Sequence, residues 1–369
     1  MRILSIVTLV SPTGEYGGPV RVALNQARAL AERGHEVLVA GAHRGFTGAP
    51  PRRMEGVRLA LFPARTLLPG AGFAGVASPG LYRRLAALTR GVDIVHVHAA
   101  RDLVTMPAVD WLRRHGVPYV VQTHGMIDES GNPLARPLDA ALTRPGLRGA
   151  RRVFHLTDRE RADLIAVAGD GLRLEELPNG VPVPDARADG SGDPEVLYLA
   201  RLAPRKRPAA FVEMAERVAL RFPSARFRLV GPDEGEGRAV RARIEGLSGS
   251  ADVQWEGPLD PSLTTDRMSR ASVYVLPSVD EPYPMSVLEA MALGLPVVIT
   301  DSCGLAPAVA EAGAGVVVDE SVDALTAAVE SMLADPEAAR TVGAAGRAFT
   351  RDRLAMPAIA EQLERAYRA

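Results

Sequence analysis

The chain has 369 residues, of which 47% are hydrophobic and 24% charged, and its 43 basic and 44 acidic side chains leave a formal charge of −1. Those are globular values on a length that favours two domains of ordinary size, and the neutral balance argues against a nucleic-acid partner. No run reaches the roughly 18 apolar residues needed to cross a bilayer, and the single cysteine, Cys303, excludes an internal disulfide or a cysteine-cluster metal site.

The chain opens with an apolar run, Ile3 to Val10, that reads as a first β-strand rather than a signal peptide. A Gly-rich loop, Ser11 to Pro19, follows, then a helical pattern from Arg21 to Arg33 and a strand from Glu36 to Ala40. This β-loop-α-β order lacks the G-x-G-x-x-G spacing of dinucleotide-binding folds. Val57 to Leu61 predicts a strand, and Leu67 to Gly80, rich in Gly, Pro and Ala, predicts a mobile loop. Ile94 to His98 is a buried strand ending in two histidines, followed by a helix from Leu103 to His115. Tyr119 to Thr123 is another, ending at His124-Gly125. A histidine just past the carboxyl end of a parallel strand stands where open α/β sheets bind ligands. Met126 to Pro145 reads as irregular. Thr157 and Glu160 have the spacing of a capping box at a helix start. Pro182 to Pro194 has linker composition.

The second half restarts with a strand, Glu195 to Ala200, leading into Arg201-Leu202-Ala203-Pro204-Arg205-Lys206. A helix from Phe211 to Phe222 and strands at Arg226 to Gly231, Val253 to Gly257 and Val273 to Pro277 continue the alternation. Alternating β and α units predict two parallel, doubly wound sheets. The charge is unevenly spread. Residues 1–185 hold 23 Arg against 17 acidic residues (+6), and residues 186–369 hold 20 basic against 27 acidic (−7). A basic front half suits an anionic acceptor or an acidic membrane surface; scattered solvated arginines are the plainer reading. Of the 43 basic residues 42 are Arg, and the one Lys is Lys206, which suggests a position that needs a compact ammonium.

The most informative stretch is Pro277 to Thr300, PSVDEPYPMSVLEAMALGLPVVIT. Glu281 lies on a Pro-rich loop, Glu289 lies within the apolar helical run from Met285 to Leu293, and Gly294 and Pro296 close that run. Pro284 suits a first helical turn, where no amide donor is needed. The next amides, Met285, Ser286 and Val287, are then free to receive a phosphate.

With its E-x7-E spacing inside LPS…EP-x7-LEAMALGLPVV, this stretch resembles the motif of the retaining family 4 glycosyltransferases. The resemblance implies a GT-B fold, two Rossmann-like doubly wound domains facing across a cleft. Their bounds would be 1–182, with the last helix (352–369) crossing back, and 183–351, the second domain binding the nucleotide sugar. Further segments match the family in order: Gly17-Gly18, T-H-G at His124, P-N-G-V from Pro178, and R-x4-K at Arg201 and Lys206. The resemblance implies that Gly17 and Gly18 face the donor phosphates and the acceptor. It gives His124 a contact with the donor sugar and the acceptor, Arg201 and Lys206 the task of neutralising the diphosphate, Glu281 a place by the sugar, and Glu289 the ribose. Tyr283, Pro284, Met285, Ser286 and Val287 complete the donor side. His98 is a candidate for the acceptor pocket, whereas His96 reads as structural.

Fixed cations can stabilise the charge that grows on a departing phosphate, and no D-x-D-type pair follows a strand, so no metal and no cofactor are expected. Paired carboxylates would also suit a glycoside hydrolase, but a hydrolase needs no diphosphate cradle. The expected function is metal-independent, retaining transfer from a nucleotide-diphosphate sugar, UDP-sugar favoured, to a hydroxyl on a carbohydrate, lipid-linked or small-molecule acceptor. Cell-surface polysaccharide or glycolipid assembly and secondary metabolism are the settings considered. The expected location is the cytoplasm, with at most peripheral membrane contact. A nucleotide-sugar epimerase on the same fold and an inactive binding-only paralogue remain open.

Overall fold

The apolar run RILSIVTLV forms β1 (Arg2–Val10), buried along almost its whole length, as a central strand of a parallel sheet must be when helices cover both faces. The computed structural model describes residues 1–12, 17–68, 70–130, 132, 135–188, 192–247, 249 and 251–368. Contacts divide it into two units, Met1–Gly180 with Met356–Ala369, and Val181–Ala355. The division falls at 180/181 and 355/356 rather than at 182/183 and 351/352.

After β1 the first unit contains α1 (Gly17–Glu32), β2 (Glu36–His43), β3 (Arg53–Met54), β4 (Val57–Pro63), β5 (Arg65–Thr66), β6 (Val76–Ala77) and α2 (Pro79–Leu88). It continues through β7 (Ile94–His98), α3 (Thr105–Arg114), β8 (Tyr119–Gln122), α4 (Ala135–Leu138), α5 (Arg144–Gly149), β9 (Val153–His155), α6 (Asp158–Ala168) and β10 (Leu174–Glu176). Its main sheet runs β10-β9-β8-β7-β1-β2-β4-β3, parallel except where β3 meets β4. The order reverses direction between β1 and β7, and such a switch point leaves a crevice outside the strands' carboxyl ends.

The second unit contains β11 (Glu195–Leu199), α7 (Pro208–Ala219), β12 (Arg226–Val230), α8 (Gly237–Glu245), β13 (Asp252–Gly257), α9 (Thr264–Ser269) and β14 (Val273–Leu276). It ends with α10 (Met285–Leu293), β15 (Val297–Thr300), α11 (Ala306–Ala312), β16 (Gly315–Val318), α12 (Val322–Ala334) and α13 (Pro336–Arg353). Its all-parallel sheet runs β13-β12-β11-β14-β15-β16, with its switch point between β11 and β14.

The last helix, α14 (Met356–Arg368), packs on the first unit: Ile359, Leu363 and Tyr367 share a core with Ile3, Leu30 and Ile94. Its seat explains Gly180. A Cβ there would stand 2.6 Å from Met356 Sδ and 2.7 Å from Ile359 Cγ1, so any larger residue would have to push these α14 side chains aside. Beside it, Asn179 accepts from Gln122 at 3.1 Å, which gives the P-N-G-V segment a packing role. Among the described residues no helix is long and apolar enough to cross a membrane.

Four regions depart from the sequence expectations. Helix α1 begins at Gly17 rather than at Arg21, so Gly17 and Gly18 sit in a first helical turn and not in a loop; residues 13–16 of that loop lie outside the described residues. Within Leu67 to Gly80, Pro69 lies outside the described residues, and the rest holds a short 3-10 turn, Gly72–Gly75, strand β6, which pairs with β5, and the start of α2. Within Met126 to Pro145, residues 131, 133 and 134 lie outside the described residues, and from Ala135 the chain winds into α4, a π-turn over Asp139–Thr143, and the start of α5. The π-turn is fastened by Arg101, whose Nε donates to Asp139 Oδ1 at 2.9 Å. Finally, Arg347 pins the expected linker, donating to Pro184 O at 2.6 Å and Ala186 O at 2.9 Å.

Candidate functional site

In the second unit, the segments leaving β11 and β14 converge at the sheet's switch point. After β11 the chain enters a 3-10 turn, Pro204–Lys206, and the loop after β14 is laced to it by Val279 N donating to Arg205 O at 2.9 Å. Glu281 is held at both ends. Its carbonyl accepts from Gly304 N at 2.8 Å, and its carboxylate Oε2 lies 2.8 Å from Lys206 Nζ and 3.3 Å from Arg205 Nη2. Lys206 is buried, and burial pushes its ammonium below the usual lysine range, an effect that Glu281 offsets only in part. Arg201 is more exposed, and its Nη1 donates to both oxygens of Glu234, at 2.9 and 2.8 Å. The two cations of the R-x4-K pair therefore each carry a carboxylate partner, which the sequence did not suggest.

Two buried tyrosines form the floor. Tyr198 OH donates to Arg201 O at 3.0 Å. Tyr274 OH stands 3.1 Å from Leu199 O and 2.7 Å from Ser286 Oγ, so one phenol ties the end of β11 to the first turn of α10. Burial raises both phenols well above their ordinary range, so they remain neutral donors. Burial likewise pushes the Cys303 thiol up to about 12, which makes it an inert neighbour of Glu281 and Lys206.

Pro284 does not lie in the first turn of α10. It is the N-cap, with extended backbone (φ −73°, ψ 114°), and Val287 N donates to its carbonyl at 3.2 Å. Met285 and Ser286 are then the amides at the positive end of a nine-residue helix that Gly294 closes in the left-handed conformation. Tyr283 lies in the loop just before this start, half-buried, and Glu289 occupies the fifth position of the helix, also half-buried.

In the first unit the switch-point histidines come together. His98 Nδ1 lies 2.9 Å from His124 Nε2. Their ring centroids are 5.2 Å apart at 12° between planes, about the bonded N···N distance plus two ring radii, so the rings meet edge to edge. His96 stacks on His98 at 4.4 Å and 17°, and its Nδ1 meets Tyr367 OH at 2.7 Å. Burial drives His96 and His124 down to about 3 and His98 well below its ordinary range. All three are neutral imidazoles at physiological pH, each a donor on one nitrogen and an acceptor on the other. His124 has φ +53°, a left-handed conformation that costs a side chain about 1–2 kcal/mol. Gly18, exposed in the first turn of α1, has open space where a Cβ would point.

Arg205, Tyr198, Tyr274 and Glu234 escaped the sequence reading. Arg205 lies inside the R-x4-K spacing with nothing to mark it from its neighbours, and the tyrosines read as ordinary strand residues. Among the described residues no group of three or more His, Cys, Asp or Glu is placed to hold a metal ion.

Residues 17–180 match the family model described as glycosyl transferase 4-like domain, and residues 185–349 match that of glycosyl transferases group 1. A D-inositol 3-phosphate glycosyltransferase of Segniliparus rotundus is 30% identical across 97% of this chain and 85% of its own length. The chain belongs to the family 4 glycosyltransferases. Another relative, a GDP-mannose-dependent alpha-(1-6)-phosphatidylinositol monomannoside mannosyltransferase of Mycolicibacterium smegmatis, is 30% identical over 81% of this chain and 80% of that protein. Solved structures agree on the GT-B fold. A sucrose-phosphate synthase from Thermosynechococcus elongatus superposes with a TM-score of 0.74 at 22% identity, covering all of this chain and 98% of that one. Anabaena HepE, solved with UDP and glucose, gives 0.75 at 17% identity, covering all of this chain and 99% of that one. Of the classes that the sequence left open, membership selects the glycosyltransferase family over the nucleotide-sugar epimerase.

Proposed function

We propose that this glycosyltransferase transfers a sugar with retention of configuration, without a metal, from a nucleotide-diphosphate sugar, a UDP-sugar first, to a hydroxyl acceptor. The observation that carries the reading is the Lys206–Glu281 pair beside the start of α10. An ammonium has three N–H donors. Ion-paired with Glu281, it still presents donors to the oxygens of a diphosphate from a compact point charge, a shape that the planar guanidinium of Arg does not reproduce. Glu281, so held, accepts from a sugar hydroxyl, and the amides of Met285 and Ser286 receive the phosphate.

In the reaction proposed, the C1–O bond to the phosphate breaks and its electron pair leaves with the phosphate oxygen. The acceptor hydroxyl forms the new bond to C1 on the same face and gives its proton to the departing phosphate. Lys206 and Arg201 stabilise the growing charge. Glu289 holds the ribose, and His124, a neutral imidazole, bonds to the donor sugar.

The names of the relatives point to a phosphorylated polyol, D-inositol 3-phosphate first, as the acceptor class. The mannosyltransferase relative favours a second reading of the donor, a GDP-sugar. The test is a panel of UDP- and GDP-sugars against polyol phosphates and free polyols, in EDTA, with anomeric configuration read by NMR. A product of the donor's configuration formed in EDTA is expected. Inversion would overturn the retaining mechanism, and restoration only by Mg²⁺ or Mn²⁺ would overturn the cation account.

A further inference from the structure

We propose that Glu160 is a positioning residue for His124, and this rests on the role just given to His124. The sequence marks Glu160 only as the third residue of α6, where a capping box would turn its carboxylate back to the N–H of Thr157. Half of that box forms: Glu160 N donates to Thr157 Oγ1 at 3.2 Å. The carboxylate goes elsewhere. Its Oε1 accepts from Thr123 Oγ1 and from Gly125 N, both at 2.5 Å, and its Oε2 accepts from Leu156 N at 2.6 Å. Glu160 is only 3% exposed.

Thr123 and Gly125 are the two neighbours of His124, so a single buried oxygen grips the chain on both sides of it. The grip falls on a tight turn. Met126 N donates to Thr123 O at 2.9 Å, and both central residues have positive φ, +53° at His124 and +69° at Gly125. A turn of that hand prefers Asn, Asp or Gly at its first central position. His124 occupies that position here, and the bonds that its two neighbours donate to the Glu160 carboxylate are what keep it there. Capping α6 requires neither the bond to Thr123 nor that to Gly125, which lie 37 and 35 residues away. The imidazole is fixed separately, by His98 at 2.9 Å. Glu160 sets the backbone and His98 the ring.

The test is a double-mutant cycle. Glu160→Ala is expected to lower kcat by on the order of 10- to 100-fold, the cost of a small misplacement of a reacting group. Affinity for plain nucleotide, which the second unit supplies, should stay nearly constant. Glu160→Gln can keep one oxygen on Thr123 and Gly125 while its NH2 faces Leu156 N–H, so it should fall between wild type and the Ala variant. Because Glu160 acts through His124, the pair Glu160→Ala with His124→Ala should be no slower than His124→Ala alone. Additive losses in kcat would overturn the proposal. Where Glu160→Ala fails to fold, Glu160→Gln and Thr123→Val, which deletes a single bond, take its place in the cycle. The Gly125 amide proton gives an independent readout: a short bond to a carboxylate shifts it downfield, and Glu160→Gln should move it back. An unmoved resonance, with His124→Ala crippled, would sink the grip alone. Wild-type turnover in His124→Ala, with the resonance moved, would sink the role of His124 instead.

Discussion

Lys206 Nζ stands 2.8 Å from Glu281 Oε2, with 10% and 9% of the two side chains exposed. A pair this buried is coupled: removing Lys206 leaves the Glu281 charge with only the half-exposed Arg205 at 3.3 Å, at a cost below the about 3–5 kcal/mol of a fully stranded charge. Lys206→Ala should therefore lower the melting temperature as well as cut turnover by on the order of 10²-fold or more. Adding Glu281→Gln removes that charge, and should restore the melting temperature but not the turnover. Lys206→Arg should rescue only in part. Wild-type kinetics in Lys206→Ala would remove this residue from the site.

Burial holds the Lys206 ammonium below the ordinary lysine range. Activity and stability then move in opposite directions at alkaline pH. Between the folded and unfolded values the unfolded chain binds the extra proton, so this residue's contribution to stability rises with pH. Activity that needs the ammonium falls as pH passes the folded value. The kcat/KM profile, which reports the free enzyme, should bend downward below the usual lysine pKa, and Lys206→Arg should abolish the bend. A profile flat into the range of free lysine would contradict the proposal.

Glu364 on α14 is pushed down to about 2, first by the hydrogen bond from Arg33 and then by His35. Arg33 Nε donates to it at 2.6 Å and His35 Nε2 lies at 2.8 Å. A depressed carboxylate stabilises the fold fully above its unfolded value and ceases to do so as pH falls through its folded one. The helix that returns to the first unit should thus loosen between about pH 4.5 and 2. In Glu364→Gln that stretch of the acid-unfolding profile should flatten, with some stability already lost at neutral pH. An unchanged acid limb would show that α14 is held by its apolar face alone.

The two sheets were legible in the sequence because strands buried on both faces leave near-continuous apolar runs such as Val273–Leu276 and Val297–Ile299. Glu281, Lys206, Arg201 and His124 were legible as a pattern of spacings. Their partners were not. Glu234 reaches Arg201 across 33 residues and Glu160 reaches Thr123 across 37, and sequence spacing carries no signal for either. The start of α1 was missed because two glycines read as loop. Residues 126–145 were missed because a π-turn, held by the distant Arg101, has no periodicity to recognise.

His124 and Glu289 should separate kinetically. A ribose contact persists from ground state to transition state, so Glu289→Ala should mainly weaken nucleotide binding. His124→Ala should mainly lower kcat, since its imidazole is assigned to the reacting sugar. His98→Leu, which deletes the 2.9 Å ring bond, should follow His124→Ala in kind at smaller size. Calorimetry showing both His124→Ala and Glu289→Ala equally defective for plain nucleotide would reverse the assignment.

Pro284 supplies the most specific test of donor choice. The resemblance to the family's E-x7-E motif implies E-x-F-G after the first glutamate, with the glycine and following amides toward the donor sugar, whereas this chain reads Glu281-Pro282-Tyr283-Pro284. At the N-cap, Pro284 presents a carbonyl used by Val287 N and has no N–H to offer. One possible donor to a sugar hydroxyl is therefore gone, while those of Met285 and Ser286 remain. A missing bond to a buried hydroxyl costs about 1–3 kcal/mol, roughly 5- to 150-fold in discrimination. Pro284→Gly restores an N–H there and should reorder kcat/KM across a panel of donor sugars, with affinity for bare nucleotide nearly constant. If the variant instead loses nucleotide affinity and keeps the wild-type ranking of sugars, Pro284 only sets the start of α10, and the identity of the sugar is read elsewhere.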